Sequence, residues 1–153
     1  MFASQRQSGL APRVHLFFGA RVLVSRFADW NQVDPEVFRV ARQEIDATMS
    51  LMPQARMKAA DAGLIHREYE SAARLLRHAC ALGELKVALA SADGGPSSGL
   101  KQQAYSLAED MRGILAEHRE LGLARNRVGG LEEGSAAHFQ GMIDAYRRIA
   151  RGL

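Results

Sequence analysis

Residues 100–121 read LKQQAYSLAEDMRGILAEHREL, and this stretch decides the fold. Leu100, Ala104, Leu107, Met111, Ile114, His118 and Leu121 follow one another in alternating steps of four and three residues. That spacing puts them on one stripe of an α-helix, whereas a half-buried strand would need every second residue apolar. A stripe of this kind is a seam that packs against other helices in a bundle. Breaks stand on both sides of it. Asp93-Gly94-Gly95-Pro96-Ser97-Ser98-Gly99 precedes it, a tight connection that would lay the neighbouring helices antiparallel. Residues 126–134 follow it, with Gly129-Gly130 permitting a left-handed turn.

The same periodicity continues outward. Asp34-Pro35-Glu36 is a helix start: Asp can cap free amides, Pro suits the first turn, and Glu suits the positive end of the dipole. Phe38, Ala41, Ile45, Met49 and Met52 follow at helical spacing until Pro53 interrupts. A short helix is expected up to Ala62, ended by Gly63. A longer one is expected over 65–92, with Ile65, Tyr69, Ala72, Leu76 and Cys80 on one stripe and Leu75, Leu82 and Leu89 beside it. The last helix carries Phe139, Met142, Ile143, Tyr146, Ile149, Ala150 and Leu153. Strand signals reduce to Val22-Leu23-Val24, and 25 alanines favour helix. The reading is all-α, an antiparallel bundle of about five helices. Residues 1–12 form a flexible tail, and residues 13–153 a single helical domain that opens with an amphipathic helix carrying Leu16, Phe17, Ala20, Leu23, Val24 and Phe27.

Length and charge narrow the function classes. A chain of 153 residues suits one domain. The single cysteine excludes an intramolecular disulfide and a cysteine-built zinc site. No apolar run approaches the ~18 residues of a membrane span. The net charge of +3 resides in residues 1–30, where Arg6, Arg13, Arg21 and Arg26 face one acid, Asp29. Elsewhere the signs alternate, as on a solvated helix surface, which argues against nucleic-acid binding. No secretory cleavage pattern follows the broken apolar run after Val14, so a cytoplasmic location is expected.

Catalytic and metal motifs are absent or incomplete. The segment from Gly94 to Lys101 has its lysine one place late for a phosphate loop and follows a helix. No histidine has Glu three residues before it, the pattern of bundle metal sites, so no metal or cofactor is expected. His66 and Glu70, four apart, read as a surface ion pair. Cys80 reads as a small buried hydrophobe. Glu109-Asp110 reads as exposed helix charge, because adjacent helical residues point about 100° apart. His118, on an otherwise apolar seam, reads first as a hydrogen-bonded core histidine and second as a ligand. Arg125-Asn126-Arg127 closes the seam helix. Its arginines and asparagine suit either terminal carbonyls and nearby acids, or carboxylate and sugar-hydroxyl contacts. No catalytic residue is assigned; the candidate binding residues are Arg125, Asn126, Arg127 and His118.

This stretch and the helices before it resemble the C-terminal helical domain of bacterial family 20 glycoside hydrolases of the β-N-acetylglucosaminidase type. Those domains tend to carry a helix of the form E-x-R-x-L-W-x-x-R-N-R-x-G-G-L. Glu117, Arg119, Leu121, Arg125, Asn126, Arg127, Gly129, Gly130 and Leu131 match it. Gly122 stands where an aromatic is expected and Val128 where proline is common; Glu132-Glu133-Gly134-Ser135 approximates the acidic-Ser stretch that follows. The resemblance covers residues 28–153.

The resemblance implies a limited role. In that family catalysis resides on a preceding (β/α)8 barrel with an Asp-Glu pair, whose Glu protonates the leaving oxygen while Asp steers the substrate's acetamido group. A barrel needs about 250 residues, and Glu109-Asp110 is reversed and helical. The chain is therefore expected to be non-catalytic, packing against a (β/α)8 catalytic domain or forming a homodimer through Phe17, Phe18, Phe27 and Trp30. The alternative is a ligand-binding or dimerisation module of a bacterial transcription regulator, although no helix-turn-helix is evident before Asp34. A small bundle enzyme would have only His118, Glu117 and the arginines to work with. The missing carboxylate pair predicts no β-N-acetylhexosaminidase turnover on a chromogenic substrate and no stoichiometric transition metal on the purified chain. Turnover that tracks the protein through chromatography would overturn this.

Overall fold

The computed structural model describes residues 29–125 and 129–153. The expected N-terminal helix, the tail and the segment Val22-Leu23-Val24 lie outside them. Among the described residues there are four α-helices and no strand: α1 (Glu36–Met49), α2 (Ala62–Ala90), α3 (Ser98–Ala124) and α4 (Ala137–Arg151). No helix among them is long and apolar enough to cross a membrane.

The helix starts follow local chemistry. The Asp34 carboxylate accepts the Glu36 N–H at 2.9 Å ahead of α1. The Ser97 hydroxyl accepts the Leu100 N–H at 3.3 Å ahead of α3. Between α2 and α3 the chain turns on Gly94 and Gly95, both at positive φ (84° and 101°). After α3, Gly130 at φ 75° feeds a π-helical turn, Leu131–Ala136, that runs directly into α4. Gly152 ends α4 in the left-handed region, leaving Leu153 83% exposed and off the apolar face expected of it.

Two expected boundaries shift. Residues 55–61 carry no helix, so the short helix up to Ala62 is absent. Ala62 instead begins α2, and Gly63 lies within its first turn. The Asp61 carbonyl accepts the Leu64 and Ile65 N–H groups at 2.9 and 3.0 Å, and one glycine's cost of about 1 kcal/mol does not stop a helix anchored along 29 residues. At the other end of that gap, α1 stops at Met49, and Met52–Gln54 form a 3-10 turn around Pro53.

The core lies between α2, α3 and α4. Leu85, Met111, Ile114 and Ile143 are almost wholly enclosed, each burial contributing about 1.5–3 kcal/mol. Around them gather Leu82, Ala104, Leu107, Ala108, Leu115, Ala136, Met142 and Tyr146. The α3 seam is buried as the spacing predicts at Ala104, Leu107, Met111, Ile114 and Leu121. On α2 the expected residues Cys80 and Leu82 are buried, but the buried face is rotated from the rest of the stripe: Tyr69 and Ala72 are exposed, whereas Ala73, His78 and Leu85 face inward. The 29-residue helix serves two partners, α1 on one side and α3 on the other, and periodicity alone does not say which stripe meets which.

α1 lies outside this core, against α2. Phe38 is its one buried residue, and its ring rests on Gly83 of α2, where a Cβ would overlap it. Two ion pairs flank that contact, Arg42–Glu84 at 2.6 Å and Arg77–Asp46 at 2.6 Å. A helical Gly→Ala change usually stabilises by about 1 kcal/mol, but overpacking costs about 1–3 kcal/mol. Gly83→Ala should therefore lose up to about 2 kcal/mol net, measured by urea unfolding. Gly63→Ala, with nothing within 4 Å, should lose nothing. Adding Gly83→Ala to Phe38→Ala should cost no further stability, since the ring it meets is gone.

Candidate functional site

The most enclosed polar group of the described residues is His78 on α2, 2% exposed. Its Nδ1 lies 2.7 Å from Asp110 Oδ2 on α3, and its Nε2 lies 2.9 Å from the Tyr146 hydroxyl on α4. A carboxylate only accepts, so the ring proton sits on Nδ1 and donates to Asp110, while Nε2 accepts the Tyr146 O–H. The second Asp110 oxygen accepts from Arg74 Nη2 at 2.8 Å and Nε at 3.2 Å. Arg74 Nη1 in turn stands 3.7 Å from Glu117. Arg74 and His78 are one turn apart on α2, and Arg74 reaches α3 across Gly113, whose missing side chain leaves room for the guanidinium. One polar chain thus links three helices.

The electrostatics follow from burial and partners. Desolvation pushes the His78 pKa below its usual value, against the pull of Asp110, with Arg74 adding to the downward shift. Burial, then the charge of Asp110, pushes the Tyr146 phenol well above its ordinary range. Burial works to raise Asp110, but the hydrogen bonds from His78 and Arg74 outweigh it and hold the carboxyl below its usual value.

A second cluster sits at the far end of α3. Arg125 aims Nε and Nη2 at Glu68, at 2.8 and 2.6 Å, and Nη1 at Asp61 at 2.5 Å. One planar fork therefore grips both acids near the start of α2. These bonds, Glu68 first, raise the Arg125 pKa, and the Arg125 bond lowers Asp61. Arg67 and Glu120 pair beside it at 2.8 Å. Below, Arg119 holds Glu132 through two bonds of 2.8 and 2.6 Å. His118 Nε2 and Ser135 Oγ are hydrogen-bonded at 2.6 Å, and the His118 ring meets Phe139 edge-on at 5.1 Å. Burial lowers the His118 pKa. Leu131 packs directly on Gly122, so the aromatic of the glycosidase pattern would occupy the space of Leu131.

Of the four candidate binding residues, Arg125 and His118 are engaged within the chain; Asn126 and Arg127 lie outside the described residues. Trp30, offered as an interface aromatic, is half-buried with Lys86 Nζ 5.1 Å from its ring centroid. Cys80 is fully buried, and burial raises its thiol pKa, which disfavours the thiolate. His66 and Glu70 pair at 3.4 Å and line a groove of about 340 Å³ together with Met49, Met52, Pro53 and Arg77. Among the described residues no group of three His, Cys, Asp or Glu side chains could hold a metal.

Asp110 corrects an expectation: it is no idle surface charge but the acceptor for two donors of α2, Arg74 and His78. His78 was the residue that spacing passed over. The available signal was its place on the Leu75–Leu82–Leu89 stripe, three residues after Leu75 and four before Leu82.

No family model, curated protein or solved structure matches this chain, and none connects it to the family 20 glycosidases. The geometry itself defines an all-α protein whose helices are tied by ion pairs and a buried histidine. Arg125→Ala should lower the melting temperature by roughly 2–4 °C, and the deficit should shrink in molar salt. Arg125→Lys should restore only part, because an ammonium cannot reproduce the fork. An unchanged midpoint in both variants would detach Arg125 from stability and return it to the role of a binding residue.

Proposed function

We propose that this chain is a non-catalytic helical packing module that associates with a second copy of itself. The observation that carries the reading is the two-sided apolar character of α1. Phe38 packs on α2 and Ile45 and Met49 are half-buried, while Val37 and Val40 on the helix, and Leu51 just beyond it, stay 51%, 45% and 60% exposed. A helix at the edge of a bundle needs one apolar stripe; a second one marks a contact surface. The same face carries acid and base together, Glu36 with Arg39 and nearby Glu44, so two copies related by a two-fold axis can meet without like charges opposed.

The ion pairs support an antiparallel arrangement of α2 and α3. Asp61 and Glu68 meet Arg125, Arg67 meets Glu120, and Arg74 and His78 meet Asp110, so rising numbers on α2 pair with falling numbers on α3. In this reading the stretch that resembles the family 20 glycosidase domain works as a folding device. Arg119, Arg125 and Leu131 return the chain onto α3 and α2, the service such a domain would render beside a (β/α)8 barrel.

Light scattering at tens of micromolar should give a dimer mass, with an interface above ~1,000 Å² in total. Val40→Glu should yield monomers with an unchanged melting temperature at high dilution, because Val40 touches solvent rather than the core. A monomer mass for the unaltered chain would sink the proposal.

A further inference from the structure

We propose that His78 is a proton-sensitive latch between α2 and α4: the neutral ring holds Tyr146, and a protonated ring releases it. The inference is independent of dimerisation. The groups that face the ring are Asp110 from α3, Tyr146 from α4 and Arg74 one turn earlier on α2, with Glu117 behind Arg74.

In the closed form both ring nitrogens are used. Nδ1–H donates to Asp110, and Nε2 accepts from Tyr146, itself 2% exposed. Protonation adds a hydrogen to Nε2, the atom that must accept. The Tyr146 hydroxyl would have to swing its own proton away, and among the described residues the structure gives that hydroxyl no other partner. A buried donor left unpaired disfavours the closed arrangement. The new positive charge also arises beside Arg74, with Asp110 already divided between the two bases. Opening toward water relieves both problems.

α4 is the element free to respond. Leu82 and Leu85 of α2 belong to the same buried cluster as Met142, Ile143 and Tyr146 of α4, and among the described residues the His78–Tyr146 bond is the polar link between the two helices. α4 packs extensively on α3, a contact that does not involve His78. Opening is therefore a shift of α4 away from α2 rather than loss of the fold.

The sign of the pH dependence follows. The folded His78 pKa lies below the unfolded value of about 6.5. Its contribution is complete above that pH and is lost as the pH falls from there toward the folded value. The unfolding constant of the 153-residue chain should rise by up to about tenfold per pH unit in that window, one proton's worth. His78→Gln keeps an amide donor and acceptor but takes no proton, so its slope should be shallower by that amount. Equal slopes would overturn the latch.

Ring nitrogen NMR of the unaltered chain tests the same point even where the glutamine variant fails to fold. Expected are an Nδ1–H tautomer at neutral pH, a midpoint below about 6.5, and loss of the Tyr146–His78 ring contact as the ring protonates. A midpoint at or above that value, or a contact that survives protonation, would overturn it. Tyr146→Phe should move the midpoint up, because Nε2 is then no longer committed as an acceptor; an unmoved midpoint counts against the latch as well.

Discussion

The line of contact between α2 and α3 organises everything else in this protein, and Asp110 is its hinge point. One carboxylate accepts from Arg74 with one oxygen and from His78 with the other, and through His78 it reaches Tyr146 on α4. Apolar side chains alone would allow α2 to slide or rotate against α3 at small cost, since neighbouring leucines are near equivalents. A buried ring with two directional bonds has no equivalent positions. It sets the register of three helices at once, the role in which buried polar groups are best attested.

The charges outside the core divide into two kinds. Pairs such as Arg39–Glu36 and Arg112–Glu109 lie within one helix and are largely exposed, so they add little. The pairs between elements, Arg125 with Glu68 and Asp61 and Arg119 with Glu132, close the loops of the tertiary structure. Arg125 in particular stands at the end of α3 and draws it onto the beginning of α2. The π-helical turn that follows brings Leu131 against Gly122, and α4 starts from that fixed point. α1, by contrast, is attached through Phe38 on Gly83 and two ion pairs, and so presents its other side to solvent.

Much of the helical framework was legible in the residues themselves. The four-and-three spacing over Leu100 to Leu121, the cap at Asp34 and the glycines at 94, 95 and 130 act locally, within a turn or two of chain, where sequence and structure are nearly the same information. The candidate site was legible only in part. Arg125 was recognisable as a group that needs an acid, but nothing local names Glu68 and Asp61, which lie 57 and 64 residues away. His78 shows one signal, a histidine on an apolar stripe, while Asp110 looks like any helix-surface acid until α2 is placed against it.

By itself, then, the sequence determined that the described residues are helical, where α1 begins, where the break between α2 and α3 falls, and which side of α3 is buried, because hydrogen-bond spacing, capping and apolar periodicity act between near neighbours. Only the tertiary structure decided which stripe of the long α2 faces inward, that Tyr69 is outside and His78 inside, and that Gly83 exists to receive a phenylalanine. Those outcomes depend on which surfaces meet, and the choice between surfaces is made by the fit of side chains tens of residues apart.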